Sequence, residues 1–384
     1  MNVLFITHCT PMDGGNHSLL HLMLELKKPP YSITPILLTP LEIKSASSSI
    51  LKEAESNGIK CISSRFYPFK YESRSIPNFI RYSSNAINIQ RIYRKIKDLN
   101  IDLIHSNSSI FDIGAILSKK LDIPHIWHLR EFGDLDFNLY PLFGTGQERS
   151  TYNHADRFIA ISESVKKRFT RYIDPAKIDV IYNGIAADGT IRQSAHNNDT
   201  IRFCITGAIN KTKRQGDAIE AFNLLVNGRG YRNLHLYIIG EGKDRTMLES
   251  IVRSHGLETY VTFLGWMKDP VKQYADMDSG LMLSTNEAFG RVTIEYMRAN
   301  LVVIASDGGA NKELVNDGET GILFETGNIQ QLADKIAFVI DHFDIAKGIA
   351  EKGWKFSQTH FLSKDNTKAI YNTYLKYGIG DRQH

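Results

Sequence analysis

The sequence predicts an α/β protein built from two doubly wound domains. Short apolar runs rich in β-branched residues alternate with longer amphipathic stretches along the whole chain, which is typical of parallel sheets flanked by helices. The length of 384 residues suits two domains. A composition with 42% hydrophobic and 23% charged residues excludes disordered, collagen-like and coiled-coil chains.

The predicted elements fall into two successive series. In the first, strands are expected at 3–7, 32–39, 60–63, 103–106, 125–129, 157–162 and 177–182, and helices at 18–27, 47–57, 79–97 and 162–172. In the second, strands are expected at 201–206, 234–239, 261–264, 279–284, 302–305 and 321–324. The polar, aperiodic stretch 184–200 between the series is typical of a linker.

These elements predict a first domain at 1–183, a second at 201–362 and a last helix at 363–384 that returns toward the first domain. Ligands of such folds bind at the carboxyl ends of the strands. We therefore expect the functional site in a central cleft that the two domains face.

Composition narrows the class of protein. The net charge of +4 is too small to indicate nucleic acid as a partner. Cys9, Cys61 and Cys204 are too far apart for a disulfide framework or a Cys-rich zinc site, and the histidines show no metal-ligand spacing. No apolar window is long enough to span a membrane, and the first residues lack a signal-peptide pattern. We expect a cytoplasmic protein without a metal or cofactor.

The strongest local signal is segment 284–295, where a strand ends, a loop containing Gly290 turns and a helix begins. Unpaired N–H groups at a helix start favour a phosphate or diphosphate there. Glu287 before the helix and Glu295 one turn inside it could hold sugar hydroxyls at opposite ends of one ligand. Alternatively, Glu287 only complements the helix dipole and Glu295 lies on a solvated face.

A second loop, 207–216, also joins a strand to a helix. It carries Lys211, Lys213 and Arg214, which could clamp the same diphosphate and neutralise a departing nucleotide, or could simply be surface charges. Glycines that would allow close approach of a ligand follow other strands, at Gly14, Gly15 and Gly240. The GxGxxG fingerprint is absent around Gly240, which disfavours a nicotinamide enzyme.

These motifs resemble those of the retaining family 4 glycosyltransferases of GT-B fold. The resemblance covers segments 207–222, 236–248, 261–276 and, most specifically, 284–324, with Glu287 and Glu295 as the paired glutamates. The first half is similar at Gly14-Gly15, 102–105, 155–162 and 180–184. The resemblance implies transfer of a sugar from a nucleotide-diphosphate donor to an acceptor hydroxyl with retention, in bacterial-type cell-surface polysaccharide or glycolipid synthesis.

The resemblance also implies roles for individual residues. Glu295 would hold the ribose, Glu287 the donor sugar and Lys213 the leaving phosphate, with Gly207 in the phosphate loop. The diphosphate would lie on N–H groups of Phe289, Gly290, Arg291 and Val292. UDP is the mildly preferred nucleotide, and no metal is needed because N–H dipoles and cations carry the leaving group.

Two positions depart from the family pattern. Ala208 stands where the family usually has Arg after the glycine of the phosphate loop, so that Lys211 or Arg214 would have to substitute. Arg130 stands where the family often has His, and His128 lies two residues earlier on the same strand face. Either could contact the donor sugar, or His128 could pack in the core beside Trp127.

The stretch 65–97 carries eight Lys or Arg against one Glu. Aromatic residues are interleaved with these charges: Phe66, Tyr67, Phe69, Tyr71, Phe79, Tyr82 and Tyr93. Such a surface suits anionic headgroups or a lipid-linked acceptor, and predicts peripheral attachment to the inner face of the membrane. The alternative is an ordinary solvated helix.

Two other functions remain open at the level of the sequence. One is a nucleotide-sugar epimerase of the same fold, which would need a proton-transfer pair near the anomeric carbon. The other is a catalytically idle nucleotide-sugar-binding subunit, with which Ala208 and Arg130 are compatible.

Overall fold

A computed structural model describes residues 1–41, 49–185 and 200–379 of the chain. They belong to two compact units, one comprising Met1–Gly184 with Ser363–His384 and the other Ile185–Leu362. Each unit has a parallel sheet with helices, which confirms the predicted α/β class. Most of the predicted linker, residues 186–199, lies outside the described residues.

The first unit has nine strands within its described part. They are β1 (Asn2–Ile6), β2 (Thr34–Thr39), β3 (Lys60–Ser63), β4 (Lys70–Tyr71), β5 (Leu103–Ser106), β6 (His125–Leu129), β7 (Tyr140–Pro141), β8 (Arg157–Ala160) and β9 (Ile178–Val180). Seven form one parallel sheet in the order β3-β2-β1-β5-β6-β8-β9, while β4 and β7 pair antiparallel beside it as a separate ribbon.

Eight helices of the described part of the first unit lie between these strands in the chain. They are α1 (Gly14–Lys27), α2 (Ile50–Ser56), α3 (Ile76–Ser83), α4 (Asn85–Ile96), α5 (Ile113–Leu121), α6 (Asp134–Phe137), α7 (Thr145–Tyr152) and α8 (Glu163–Phe169). Because successive side chains of a strand point to opposite faces, β1 contributes Val3 and Phe5 to one core cluster and Leu4 and Ile6 to another. Both faces of the sheet are therefore buried, as expected for parallel strands.

The second unit repeats this architecture. Its strands are β10 (Ile201–Thr206), β11 (Leu234–Ile239), β12 (Val261–Gly265), β13 (Ser279–Met282), β14 (Val302–Ser306) and β15 (Ile322–Phe324), in the order β12-β11-β10-β13-β14-β15. Its helices are α9 (Gln215–Asn223), α10 (Arg245–Ser254), α11 (Arg291–Arg298), α12 (Asn311–Leu314), α13 (Ile329–Asp341) and α14 (Phe343–Thr359). In the residues described, no helix of either unit is long and apolar enough to cross a membrane.

The last helix, α15 (Ser363–Tyr374), belongs to the first unit. Ile370 and Tyr374 on this helix are fully buried in a core cluster of that unit. Tyr374 Oη is hydrogen-bonded to His105 Nδ1 on β5 at 2.7 Å. The first unit is thus completed by a segment that follows the second unit in the chain.

In the first unit α5, α6 and α7 were not predicted, and two of the predicted helices differ clearly in their bounds. α1 begins at Gly14 instead of residue 18, because the Asp13 side chain accepts a hydrogen bond from Asn16 N at 2.8 Å and caps the helix earlier than its glycines suggest. The single helix expected at 79–97 is two helices that meet at Ser84. Asn85 fixes this break, because its amide bonds both Tyr67 N, at 3.0 Å, and Tyr67 O, at 2.8 Å.

Both sheets reverse their strand order once. The reversal lies between β1 and β5 in the first unit and between β10 and β13 in the second. At such a switch point the loops that leave the two central strands diverge to opposite faces of the sheet and open a crevice for ligands. The loops after β1 and β5 and those after β10 and β13 are therefore the expected ligand-binding loops of the two units.

Candidate active site

In the second unit, the loops that leave β10 and β13 bring two of the predicted catalytic residues together. Lys213 Nζ lies 2.7 Å from Glu287 Oε2, and 33% of the lysine and 17% of the glutamate side chain is exposed. These residues are 74 positions apart in the chain. The pair is half-buried, so a ligand could contact it while bulk water screens it only in part.

The loop that carries Lys213 is organised by the side chain of Asn210. Asn210 Oδ1 accepts hydrogen bonds from Thr212 N and Lys213 N, both at 3.1 Å, and from Thr212 Oγ1 at 2.7 Å. The lysine stem passes Gly207, where an added Cβ would lie 3.9 Å from Lys213 Cδ and Cε. The loop thus fixes the direction of Lys213 before any ligand binds.

The backbone of Glu287 is held by the loop that follows β14. Ala310 N donates a hydrogen bond to Glu287 O at 2.8 Å. An added Cβ on Gly309 would lie 2.3 Å from Glu287 O, and one on Gly308 would lie 2.2 Å from Thr285 O. Only glycine allows this approach, so Gly308 and Gly309 determine where the carboxylate of Glu287 stands.

Helix α11 begins beside this pair. Gly290 is its N-cap with φ +90°, in the left-handed region that favours glycine. Phe289 and Gly290 are buried, whereas Arg291 and Val292 are partly exposed. Glu295 is only 12% exposed and its Oε1 lies 2.7 Å from Arg291 Nε, so it does not lie on a solvated helix face.

The position of α11 on the sheet is set by Tyr296. Its ring lies against Gly280 of β13, where an added Cβ would come within 2.2 Å of the ring. Its hydroxyl accepts a hydrogen bond from Thr206 N, at the end of β10, at 2.8 Å. The start of α11 is therefore fixed relative to both central strands.

Arg214 and Gly240 have clear structural partners in the second unit. The guanidinium of Arg214 forms an ion pair with Asp217 at 2.6 Å. An added Cβ on Gly240 would lie 2.0 Å from Gly207 O, so glycine at this position serves the packing of two loops against each other. A role of either residue in substrate binding stays a prediction.

In the first unit, Gly14 and Gly15 lie in the first turn of α1, and Arg130 lies just after β6. An added Cβ on Gly14 would meet no atom within 4 Å, and one on Gly15 would lie 3.9 Å from Arg130 Cδ. Arg130 donates hydrogen bonds to two neutral amides, from Nε to Asn107 Oδ1 and from Nη1 to Asn183 Oδ1 at 2.7 Å. Burial lowers the pKa of Arg130 to about 10, so it stays charged at neutral pH.

His128 is fully buried in β6. Its Nδ1 lies 3.2 Å from His105 Nε2, which extends the hydrogen-bonded chain from Tyr374. Burial, together with the charge of Arg130, holds the pKa of both histidines well below the ordinary range, so they are neutral. The two residues proposed for the family histidine position thus differ in exposure, since His128 is fully buried and Arg130 is partly exposed.

The sequence predicted candidate residues for this site but not the contacts that position them. The contacts of Lys213 with Glu287, of Gly309 with Glu287 and of Tyr374 with His105 join distant segments. The first two could be inferred only if the order of the strands in the sheet were known, because loops after neighbouring parallel strands meet at the same edge of a sheet. The third had none, because it depends on the path of the last helix.

Comparison with known families agrees with this architecture. The profile of the family described as Glycosyl transferases group 1 matches residues 188–355, and that of Glycosyltransferase Family 4 matches residues 52–188. The chain belongs to the family 4 glycosyltransferases, enzymes that transfer a sugar from a nucleotide-diphosphate donor.

Individual relatives and solved structures share less than 30% sequence identity with the chain. The chain is 28% identical to the capsular polysaccharide biosynthesis glycosyltransferase CapM of Staphylococcus aureus, over 59% of this chain and 64% of that protein. It is 24% identical to the alpha-monoglucosyldiacylglycerol synthase of Acholeplasma laidlawii, over 75% and 78%. Its fold resembles the crystal structure of Anabaena HepE in complex with UDP-glucose, with a TM-score of 0.77, 20% identity and coverage of 98% and 100%. The fold is therefore GT-B.

Proposed function

We propose that this protein transfers a hexosyl group from a UDP-sugar, with retention of the anomeric configuration, to a hydroxyl of a lipid-linked or glycolipid acceptor in cell-surface polysaccharide or glycolipid synthesis. The observation that carries the proposal is the Lys213–Glu287 pair beside the start of α11. A cation, a carboxylate and the amino end of a helix together match the charges and hydroxyls of a nucleotide sugar.

The geometry supports a division of roles. The diphosphate would accept hydrogen bonds from backbone N–H groups at Phe289–Val292, with Lys213 on the leaving phosphate. Glu287 would accept hydrogen bonds from the donor sugar, and Glu295, already oriented by Arg291, from the ribose. When a diphosphate attracts Lys213, its pairing with Glu287 weakens and the carboxylate becomes available to the sugar.

The chemistry follows from these charges. As the anomeric C–O bond breaks, negative charge develops on the diphosphate and positive charge on the sugar ring. Lys213 and the helix start stabilise the first, and the carboxylate of Glu287 stabilises the second. The acceptor hydroxyl attacks the face from which the diphosphate leaves and gives its proton to the departing phosphate oxygen, so the configuration is retained.

The test is turnover of UDP-glucose with a lipid-linked acceptor, with proton NMR to assign the anomeric configuration of the product. Lys213→Ala and Glu287→Gln are each expected to lower kcat about 100-fold or more. The matched controls are Arg229→Ala and Asp334→Asn, which remove another partly exposed ion pair of the same unit, at 2.5 Å, and should leave kcat unchanged. A free sugar epimer formed without acceptor, or binding without turnover, would contradict the proposal.

The first unit offers a surface for an acceptor held in a membrane. No residue of α3 is buried, and Ile76 and Ile80 are 75% and 66% exposed. Phe143, 60% exposed, packs its ring against Phe79 of α3 with centroids 5.2 Å apart. The cation Arg81 is exposed on the same helix. Exposed apolar groups next to basic side chains suit the interface of an anionic bilayer.

Not all of the predicted aromatic and basic surface is available. Phe66 and Phe69 are buried, because they pack against other rings of the first unit. Lys70 is only 2% exposed and its Nζ lies 2.6 Å from Glu148 Oε1. The proposed membrane surface is therefore α3 with the exposed ring of Phe143.

Sedimentation with phosphatidylglycerol vesicles tests this surface. The full chain is expected to pellet at low salt, and Ile76→Ser with Ile80→Ser to stay in the supernatant. Ile345→Ser, at a 60% exposed position of α14, is the matched control and should not change pelleting. Recovery of the unaltered chain in the supernatant would refute membrane attachment and leave the donor chemistry untouched.

A further inference from the structure

The loop between β1 and α1 brings three metal-ligating side chains together. His8, Cys9 and Asp13 each offer one ligand atom, and these atoms all lie within 4.8 Å of one another. His8 and Cys9 are partly buried, and Asp13 is exposed. One imidazole, one sulfur and one carboxylate form a mixed donor set of the kind that zinc accepts.

The distances fit a small tetrahedral ion. Cys9 Sγ lies 3.3 Å from Asp13 Oδ2. In a tetrahedral zinc site, bond lengths near 2.3 Å to sulfur and 2.0 Å to oxygen place those two atoms about 3.5 Å apart. The sulfur and oxygen are thus already near the required separation, and the ligand atom of His8 lies within 4.8 Å of both.

The side chain of Asn16 forms hydrogen bonds that position Cys9. Its Nδ2 donates hydrogen bonds to Pro11 O at 2.7 Å, to Cys9 O at 3.2 Å and to Cys9 Sγ at 3.4 Å. Its Oδ1 accepts a hydrogen bond from Thr7 Oγ1 at 2.7 Å, and the residue is 1% exposed. A hydrogen bond from a fixed amide to a thiolate is the usual outer support of a metal ligand.

One further feature of the loop favours a cation. His8 Nδ1 is buried and has no hydrogen-bond partner among the described residues, a condition that costs free energy unless a water or an ion satisfies it.

We infer that His8, Cys9 and Asp13 form a binding site for one zinc ion, with water in the fourth position. When the ion binds, the Cys9 thiol releases its proton to solvent and the resulting thiolate forms the bond to zinc. It ties the end of β1 to the first turn of α1, which Asp13 caps. The test of this site is separate from that of the proposed transfer reaction, because it measures metal binding and Tm and not sugar transfer.

Cobalt is the probe, because Co²⁺ occupies zinc sites and reports its ligands by absorption. One equivalent added to the metal-free full chain is expected to give a thiolate-to-cobalt charge-transfer band in the near ultraviolet, which Zn²⁺ abolishes. Zn²⁺ should also raise the Tm of the chain, because an ion that binds only the native state stabilises it.

The variants separate a built site from adventitious binding. Cys9→Ser should lose the band, and Asp13→Asn should weaken cobalt binding at least tenfold while still capping α1, because Asn is as good an N-cap as Asp. Cys61→Ser, which removes another partly buried free thiol, is the control. Absence of the band in the unaltered chain, its persistence in Cys9→Ser, or its loss in Cys61→Ser would overturn the inference.

Discussion

Gly309 provides the sharpest test of how the site is positioned. A Cβ at this residue would lie 2.3 Å from Glu287 O, whereas ordinary contact begins near 3.4 Å. Gly309→Ala must therefore displace the backbone of Glu287 by about 1 Å, and a displacement of that size can cost about 100-fold in rate. We expect kcat for sugar transfer to fall by about this factor.

Part of the effect comes from the backbone of residue 309 itself. Gly309 has φ +57°, which costs an alanine about 1–2 kcal/mol. Gly318→Ala is the matched control, because Gly318 has φ +74° and an added Cβ would meet no atom within 4 Å. The positive φ should lower Tm by a similar amount in both variants, whereas kcat should fall only in Gly309→Ala.

The measurement is kcat on folded protein, with circular dichroism to verify folding. If Gly309→Ala fails to fold, Gly308→Ala replaces it, because its Cβ would lie 2.2 Å from Thr285 O in the same loop contact. Activity of the tested variant within twofold of Gly318→Ala would refute the reasoning that this contact positions Glu287.

Three further predictions concern stability. Gly240→Ala should lower Tm more than Gly256→Ala. The added Cβ at residue 240 would lie 2.0 Å from Gly207 O, whereas the one at residue 256 would lie in open space. Equal Tm values for the two variants would contradict this prediction. Lys70→Met should destabilise the chain by about 3–5 kcal/mol in urea unfolding, because it leaves the buried carboxylate of Glu148 unpaired, and adding Glu148→Gln should recover part of the loss. Burial and the charge of Glu131 raise the pKa of Asp136 to about 7, so the folded state binds more protons than the unfolded state. The free energy of unfolding should therefore fall as pH rises from about 4 to about 7. Asp136→Asn should flatten this pH dependence.

The sequence was sufficient for the fold class because its signals are local. The apolar runs that predict 60–63, 103–106, 125–129, 201–206 and 234–239 coincide with β3, β5, β6, β10 and β11. Parallel strands buried on both faces must be apolar throughout, which makes them easy to recognise. The start of α1 was harder to predict from the sequence, because the capping by Asp13 outweighs the low helix propensity of Gly14 and Gly15.

The sequence predicted residues for a candidate site but not the contacts between them. Lys213 was assigned to the leaving phosphate and Glu287 to the donor sugar, and in the structure these two side chains pair with each other. The pairing depends on the adjacency of β10 and β13, which a single sequence does not display. Glu295 could equally have been a solvated residue by its spacing, and only its burial beside Arg291 distinguishes the two readings.

The route of the chain through α15 makes the second unit an insertion within the first. Ile185 N donates a hydrogen bond to Phe361 O at 2.9 Å, and an added Cβ on Gly184 would lie 2.5 Å from Ser363 Cα. The points of departure and return are therefore adjacent, so a short peptide joining 184 to 363 could excise the insert. An insertion whose two ends are adjacent can be replaced without changing the sheet of the unit that carries it.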